Sequence, residues 1–359
     1  MDEARHGDQQ PVDLAVIIPS YKSGDNLPRC LDGLAAQCPP PREVIVVDSS
    51  PDFPRESYRR RHPRVRFIHL PERVFAGKAR NIGAEAASAT FLVFLDTDCV
   101  VPPGWTKAVM AAFHRHPGRR AFAGSLRNAN PAHIVGWVSF LSEFSGYIGR
   151  CRQRRVACLP AYCLAIRRDT FLASGGFPED FWPGEDAVFS RRLFQQGHTL
   201  LIEPSVTVAH INRTRYRDYL RHQFRLGRSF ALSRERMPSM AGGNYYLRSG
   251  AYLPCMALYR GLLTAGRLLR DYPGGLALLL LLSPLYIGGC LGWLAGAAAG
   301  RKAAIGPARH ECWGLGVAVM RIEVSRSFGR RRRSGGGRMG DDDHRWGSSR
   351  PAAKPGTGI

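Results

Sequence analysis

The chain of 359 residues carries 51 Lys and Arg against 29 Asp and Glu, a formal net charge of +22, with 44% apolar residues. That apolar content sustains a folded core and excludes wholesale disorder and a collagen-like repeat, while the charge calls for an anionic partner. The length allows two domains of roughly 150 residues, or one α/β domain of about 250 residues with an appendage, and the order of elements favours the second.

Nine cysteines are scattered without a C-x-x-C pair or a Cys/His ligand spacing, and they read as reduced thiols. Residues 1–12 are polar and acidic, with no apolar run behind a basic start. They are expected to be a flexible lead-in rather than a secretory signal, which would leave the catalytic part in the cytoplasm.

From Leu14 short β-rich runs alternate with helical patterns. LAVIIP (14–19), EVIVVD (43–48), VRFIHL (65–70) and TFLVFLD (90–96) are almost continuously apolar, as strands covered on both faces are. Leu27, Leu31 and Leu34 recur at helical spacing between the first two, and an Ala-rich helix spans 78–88 between the last two. Alternation of this kind predicts a doubly wound, mostly parallel α/β sheet flanked by helices. Further strands are expected at 121–126, 161–166 and 199–210, and a helix at 186–196 that stops at Gly197.

Residues 213–236 hold eight arginines against Asp218 and Glu235, with Tyr216, Tyr219, Leu220, Phe224 and Phe230 between them, the pattern of a basic amphipathic helix. Residues 272–300 then contain no charged side chain. The run is long enough for one bilayer span of about 20 residues and too short for two. Ser283-Pro284 and Gly288-Gly289 interrupt it, so a kinked span and a re-entrant or in-plane segment are both open, within an amphipathic and membrane-associated region at 241–310. Residues 311–359, with Arg330 to Arg333, a Gly run and Asp341 to Asp343, are expected to be a basic, disordered tail.

Three runs end in groups able to do chemistry: Pro19-Ser20-Tyr21, Asp48-Ser49-Ser50 and Asp96-Thr97-Asp98. Ligands of doubly wound sheets bind beyond the carboxyl ends of the strands, so these fall on one rim. Asp96 and Asp98, spaced i, i+2 at a strand end, can both reach a hard divalent cation that also holds phosphate oxygens. Lys78 and Arg80, near the start of a helix, offer two cations beside a positive dipole end. Glu185 and Asp186 follow a Pro-Gly turn at a helix start, where a carboxylate can act as a general base. Acidic residues in a first helical turn are also ordinary dipole partners. Trp182 beside them presents a flat apolar face on which a sugar ring could pack.

In this order and spacing, the segments LAVIIPSYKSGDNLPRCLDGLAAQ, EVIVVDSS, GKARNIGAEAASATFLVFLDTDC, SGGFPEDFWPGEDAVFSRRLFQQGH and VAHINRTR resemble glycosyltransferase family 2, the inverting nucleotide-sugar enzymes of GT-A fold. The resemblance covers roughly residues 12–230, giving a catalytic domain at 13–240. It implies that Pro19, Ser20 and Tyr21 line the nucleoside pocket, Asp48 meets the base, and Lys78 and Arg80 lie near the nucleotide. Asp96 and Asp98 would hold a Mg²⁺ or Mn²⁺ diphosphate, with His210 as a further metal ligand, and Asp186 would be the base with Glu185 as its neighbour. The donor would be a nucleotide-diphosphate sugar and the acceptor a lipid-linked or cell-envelope glycan at the cytoplasmic face of a membrane. The Q-x-x-R-W motif of processive members is missing, and Gln223-Phe224-Arg225 has no Arg-Trp pair, so transfer of one or few sugars is expected.

Two other classes compete. A nucleic-acid-binding protein could use the arginine-rich helix, but no zinc-finger, helix-turn-helix or RNP-like pattern accompanies it, and no nucleic-acid partner is expected. A sugar nucleotidyltransferase would need a Gly-rich, Arg-containing loop after the first strand, where this chain has PSYKSGDN.

Overall fold

The computed structural model describes residues 10–149, 153–180, 183–236, 250 and 252–305. The lead-in 1–9, Trp182 and the expected tail at 311–359 lie outside them. In chain order the elements are β1 (Val12–Ser20), α1 (Asn26–Ala35), β2 (Pro41–Asp48), α2 (Arg55–Arg61), β3 (Val65–His69), α3 (Ala76–Ala86), β4 (Phe91–Leu95) and β5 (Cys99–Val100). There follow α4 (Trp105–Arg115), β6 (Ala121–Asn128), α5 (Ile134–Phe144), β7 (Arg154–Arg155), β8 (Cys163–Arg167), α6 (Arg168–Ala173), α7 (Glu185–Gln195) and β9 (Leu201–His210). Four helices close the described chain: α8 (Tyr216–Arg236), α9 (Tyr252–Asp271), α10 (Pro273–Leu281) and α11 (Ser283–Ile305).

The strands form one sheet in the order β3-β2-β1-β4-β8-β6-β9-β5, with β7 on β9. Its first half, β3-β2-β1-β4, is parallel throughout. The second half is mixed: β8 runs antiparallel to both β4 and β6, and β6 pairs with β9 in parallel. Apolar runs mark both halves equally, because a strand buried on both faces reads the same whichever way it points.

Alternate residues of each central strand feed opposite faces. Leu14, Val16 and Ile18 pack with Val44, Val46, Val93 and the α1 leucines Leu27, Leu31 and Leu34. Ala15 and Ile17 pack with Ile45, Val47 and Phe94 under Ala79 of α3 and Phe189 of α7. Gly83 lets α3 press on β1, since a Cβ there would stand 2.4 Å from Ile17 Cγ2. This fixes the height of α3 over the rim. The described cysteines are all free thiols, with Cys30, Cys99 and Cys163 buried in the core.

The charge-free run is broken. No single described helix is long and apolar enough to cross a membrane, and α10 meets the following helix at 85°. Pro284 supplies the reason: it has no N–H with which to continue α10, and it suits the first turn of a new helix, where that donor is not needed.

Candidate functional site

The rim is built where the strand order reverses. β1 lies between β2 and β4, so Ser20, Asp48 and the turn after Leu95 flank one crevice. Asp48 is 1% exposed and forms the floor: Ser20 Oγ donates to its Oδ2 at 2.6 Å, and Ser50 donates from its backbone N–H to Oδ1 at 2.7 Å and from its hydroxyl to Oδ2 at 3.0 Å. The carboxylate expected to meet a base thus accepts three hydrogen bonds from within the protein. Pro19 is half-buried at the end of β1, and the Tyr21 ring beyond it carries the Arg73 guanidinium at 4.5 Å from its centre. Arg73 was not among the residues singled out from the sequence, because it lies in a loop without a motif.

Asp96, Thr97 and Asp98 form a tight turn closed by the Cys99 N–H to the Asp96 carbonyl at 3.1 Å, after which β5 pairs antiparallel with the end of β9. That register sets Cys99 opposite His210 and brings His210 Nε2 to 3.5 Å from Asp98 Oδ2. Asn212 Nδ2 donates to Asn128 Oδ1 at 2.9 Å and to the His210 carbonyl at 3.0 Å, so its Oδ1 is the acceptor that faces His210 Nδ1 at 3.0 Å. In the neutral imidazole this contact places the hydrogen on Nδ1 and turns the Nε2 lone pair towards Asp98. Two acceptors facing each other suit a shared cation: metal–ligand bonds of about 2.1 Å put adjacent ligands roughly 3 Å apart. Asp98, Cys99 and His210 are a group whose ligand atoms lie within 4.8 Å of one another. Cys99 is fully buried, and desolvation with the Asp98 and Asp96 charges pushes its thiol well up, which leaves Asp98 and His210 as the members of the group better suited to hold a cation.

Arg80 departs from expectation. Instead of facing a nucleotide it is 3% exposed, donating from Nη2 to Asp96 Oδ1 at 2.6 Å and from Nη1 to Glu185 Oε1 at 2.7 Å. A buried guanidinium has to be paired, and these two carboxylates do so, binding α3, the end of β4 and the start of α7 together. Glu185, also buried, accepts from the Gly184 N–H at 3.0 Å through its second oxygen, so both of its oxygens are engaged within the protein. Asp96 keeps one oxygen for a ligand while Arg80 holds the other. Lys78 remains exposed at the rim, 4.0 Å from Glu179.

Asp186 follows Glu185 in the first turn of α7, accepting the Ala187 N–H at 2.8 Å. Burial and then the neighbouring Glu185 charge raise its carboxyl to about 7, with Arg80 pulling the other way. A base that titrates near neutrality is suited to taking a hydroxyl proton. Beside it opens a cavity of about 270 Å³ lined by Gly184, Glu185 and Asp186 from one side and Leu226, Ser229 and Phe230 of α8 from the other. A larger one, about 520 Å³, lies at the opposite rim around Arg119 and His198, away from these groups.

One buried hub had no sequence signal. Glu143 of α5 meets His222 Nε2 at 3.1 Å and Arg213 at 3.5 Å, and accepts from Gln223 Nε2 at 3.1 Å. These charges, led by His222, hold its carboxyl far below the usual range against the cost of burial. Glu143 ends a largely apolar helix, and only the tertiary arrangement reveals its partners.

Residues 15–172 match the family model for glycosyl transferase family 2. The chain is 28% identical over 226 residues to a pre-mycofactocin glycosyltransferase of Mycobacterium tuberculosis, covering 61% of this chain and 47% of that protein. Glycosyltransferase AglE of Haloferax volcanii is 26% identical over 221 residues, covering 60% of this chain and 72% of that one. The chain thus spans about half the length of the mycobacterial relative. Among solved structures, a mannosyltransferase from Pyrobaculum calidifontis in complex with GDP-Man and Mn²⁺ shares the fold at a TM-score of 0.53 and 20% identity, covering 80% of this chain and 86% of that one.

Proposed function

Because residues 15–172 are a glycosyl transferase family 2 domain, we propose that the protein transfers a sugar, with inversion, from a nucleotide-diphosphate donor to the hydroxyl of a lipid-linked or cell-envelope glycan acceptor. The observation that carries this reading is the placement of Asp186, a carboxyl raised to about 7, at the mouth of a cavity on the rim that also bears Asp98 and His210. The complex of the Pyrobaculum enzyme with GDP-Man and Mn²⁺ supports a nucleotide-sugar donor and a divalent cation, Mg²⁺ or Mn²⁺.

Asp98 and His210 would hold the cation, with the free oxygen of Asp96 beside them. When bound, the cation neutralises charge that builds on the departing diphosphate. The protein's own groups do the rest. The Asp186 carboxylate takes the proton from the acceptor hydroxyl, whose oxygen attacks the anomeric carbon as the bond from that carbon to the diphosphate oxygen breaks. Nucleoside diphosphate leaves with the electron pair, and attack from the opposite face inverts the anomeric centre. Arg80 keeps Asp96 and Glu185 fixed, and the Glu185 charge keeps Asp186 basic. Leu226 and Phe230 give the acceptor side of the cavity an apolar wall, which suits a lipid-linked acceptor at a membrane surface. Absence of a Q-x-x-R-W motif supports transfer of one or few sugars.

The test is a panel of nucleotide sugars offered to the membrane fraction with Mn²⁺ and with EDTA. Release of nucleoside diphosphate from one donor, abolished by EDTA, is expected. Release that is indifferent to chelation would refute the metal assignment, and no release from any donor would refute the transferase reading.

A further inference from the structure

We infer that the charge-free C-terminal segment lies in the plane of an anionic membrane surface rather than crossing it, held there by its packing against the arginine-bearing helix α8. Gly288, Gly292, Gly296 and Gly300 recur every four residues on one face of α11. That face rests on the α8 backbone: a Cβ at Gly296 would stand 1.9 Å from the Phe224 carbonyl oxygen, and one at Gly300 2.5 Å from that of Arg228. In return, Gly227 of α8 admits the Trp293 carbonyl. The two helices therefore lie along each other for about three turns, without room for either to slide away.

Arg217, Arg221, Arg225 and Arg228 are all exposed on α8, at spacings of four, four and three residues that make one stripe. Were α11 to span a bilayer, it would either carry these guanidiniums into hydrocarbon or leave its seat on α8. Lying in the plane satisfies both helices. The exposed aliphatic side chains fit that placement: Leu258 and Leu262 share one face of α9, Leu280 and Leu281 end α10 at the 85° bend, and Ile287 and Leu291 share one face of α11. Tyr286 of α11 lies against Gly261, so α9 and α11 adjoin where these residues are exposed. An aliphatic surface beside a cationic stripe matches the boundary between acyl chains and anionic headgroups, which identifies the occupant as an anionic phospholipid surface.

This inference deepens the membrane partner named in the proposed function, but its readout needs no sugar transfer, so the two can fail separately. The purified full chain is mixed with vesicles of phosphatidylcholine alone or of equal parts phosphatidylcholine and phosphatidylglycerol, sedimented, and washed with alkaline carbonate. The expected result is binding that prefers the anionic vesicles, weakens with salt and is released by carbonate. The double variant Leu258→Asp, Leu281→Asp should bind about tenfold less or weaker, with its helical circular dichroism retained. Arg217→Gln with Arg225→Gln, both at exposed positions, should remove the preference for anionic vesicles. Retention through carbonate would show a span and overturn the proposal. So would wild-type binding by the leucine double variant, or self-association of the chain without vesicle binding.

Discussion

Asp186 sits where a carboxylate is costly to ionise, and two consequences of that can be measured. Its carboxyl, near 3.8 in a free chain, is raised to about 7, so kcat/KM should rise about tenfold per pH unit below 7 and level off above it. The same shift acts on stability. Between these two values the folded state binds a proton that the unfolded state has released, so stability falls as pH rises from about 4 through 7. Asp186→Asn should remove that slope and raise the Tm at pH 8, an effect of up to about 4 kcal/mol, which a pH series of thermal melts would show. Arg80 makes the opposite contribution. Arg80→Met leaves the buried Glu185 and the half-buried Asp96 beside each other without their cation and should cost about 3–5 kcal/mol in denaturant unfolding; unchanged stability would contradict the clamp. Asp98 and Asp186 were legible in the sequence because a strand end and a helix start fix where such residues emerge, whereas His210 came only from the family resemblance. The sequence did not reveal the role of Arg80. A cation in the first turns of a helix looks the same whether it faces an anionic ligand or two acidic residues supplied from 16 and 105 positions downstream.

At the scale of elements, hydrophobic patterning located the seven longer strands to within about two residues, since runs such as LAVIIP are buried on both faces, and it missed the two-residue strands β5 and β7. It could not give their direction. The antiparallel course of β8 between β4 and β6 follows from long-range pairing, to which local composition is indifferent. The break after α10 was legible at Ser283-Pro284, whereas the partner of α11 was not. Glycines in an apolar run suggest close packing without saying against what, and the answer is α8. Gly296→Val should therefore separate α11 from α8 and lower the Tm by several degrees, since the nearest group is backbone and cannot turn aside. A melt matching the wild type would show that the two helices do not pack this closely. Gly266, with nothing near its absent side chain, provides the control: Gly266→Ala should leave the melt unchanged or slightly raise it.

Over the whole molecule, the charge of +22 acquires a location. The eight arginines of residues 213–236 stand beyond the sheet, on and just before the helix that walls the cavity by Asp186, while the guanidinium at the catalytic rim, Arg80, is internally neutralised. The proposed membrane contact and the proposed acceptor cavity thus share α8, an arrangement suited to an acceptor that is delivered from a lipid surface. Asp186 is proposed as the base of a nucleotide-sugar transferase whose cation would rest on Asp98 and His210. The most direct measurement is the initial rate of sugar transfer by Asp186→Asn relative to wild type, at saturating divalent cation and with the donor that the nucleotide-sugar panel identifies. The expected result is a loss of about a hundredfold or more, at unchanged or increased folding stability. A rate within about twofold of wild type would contradict it.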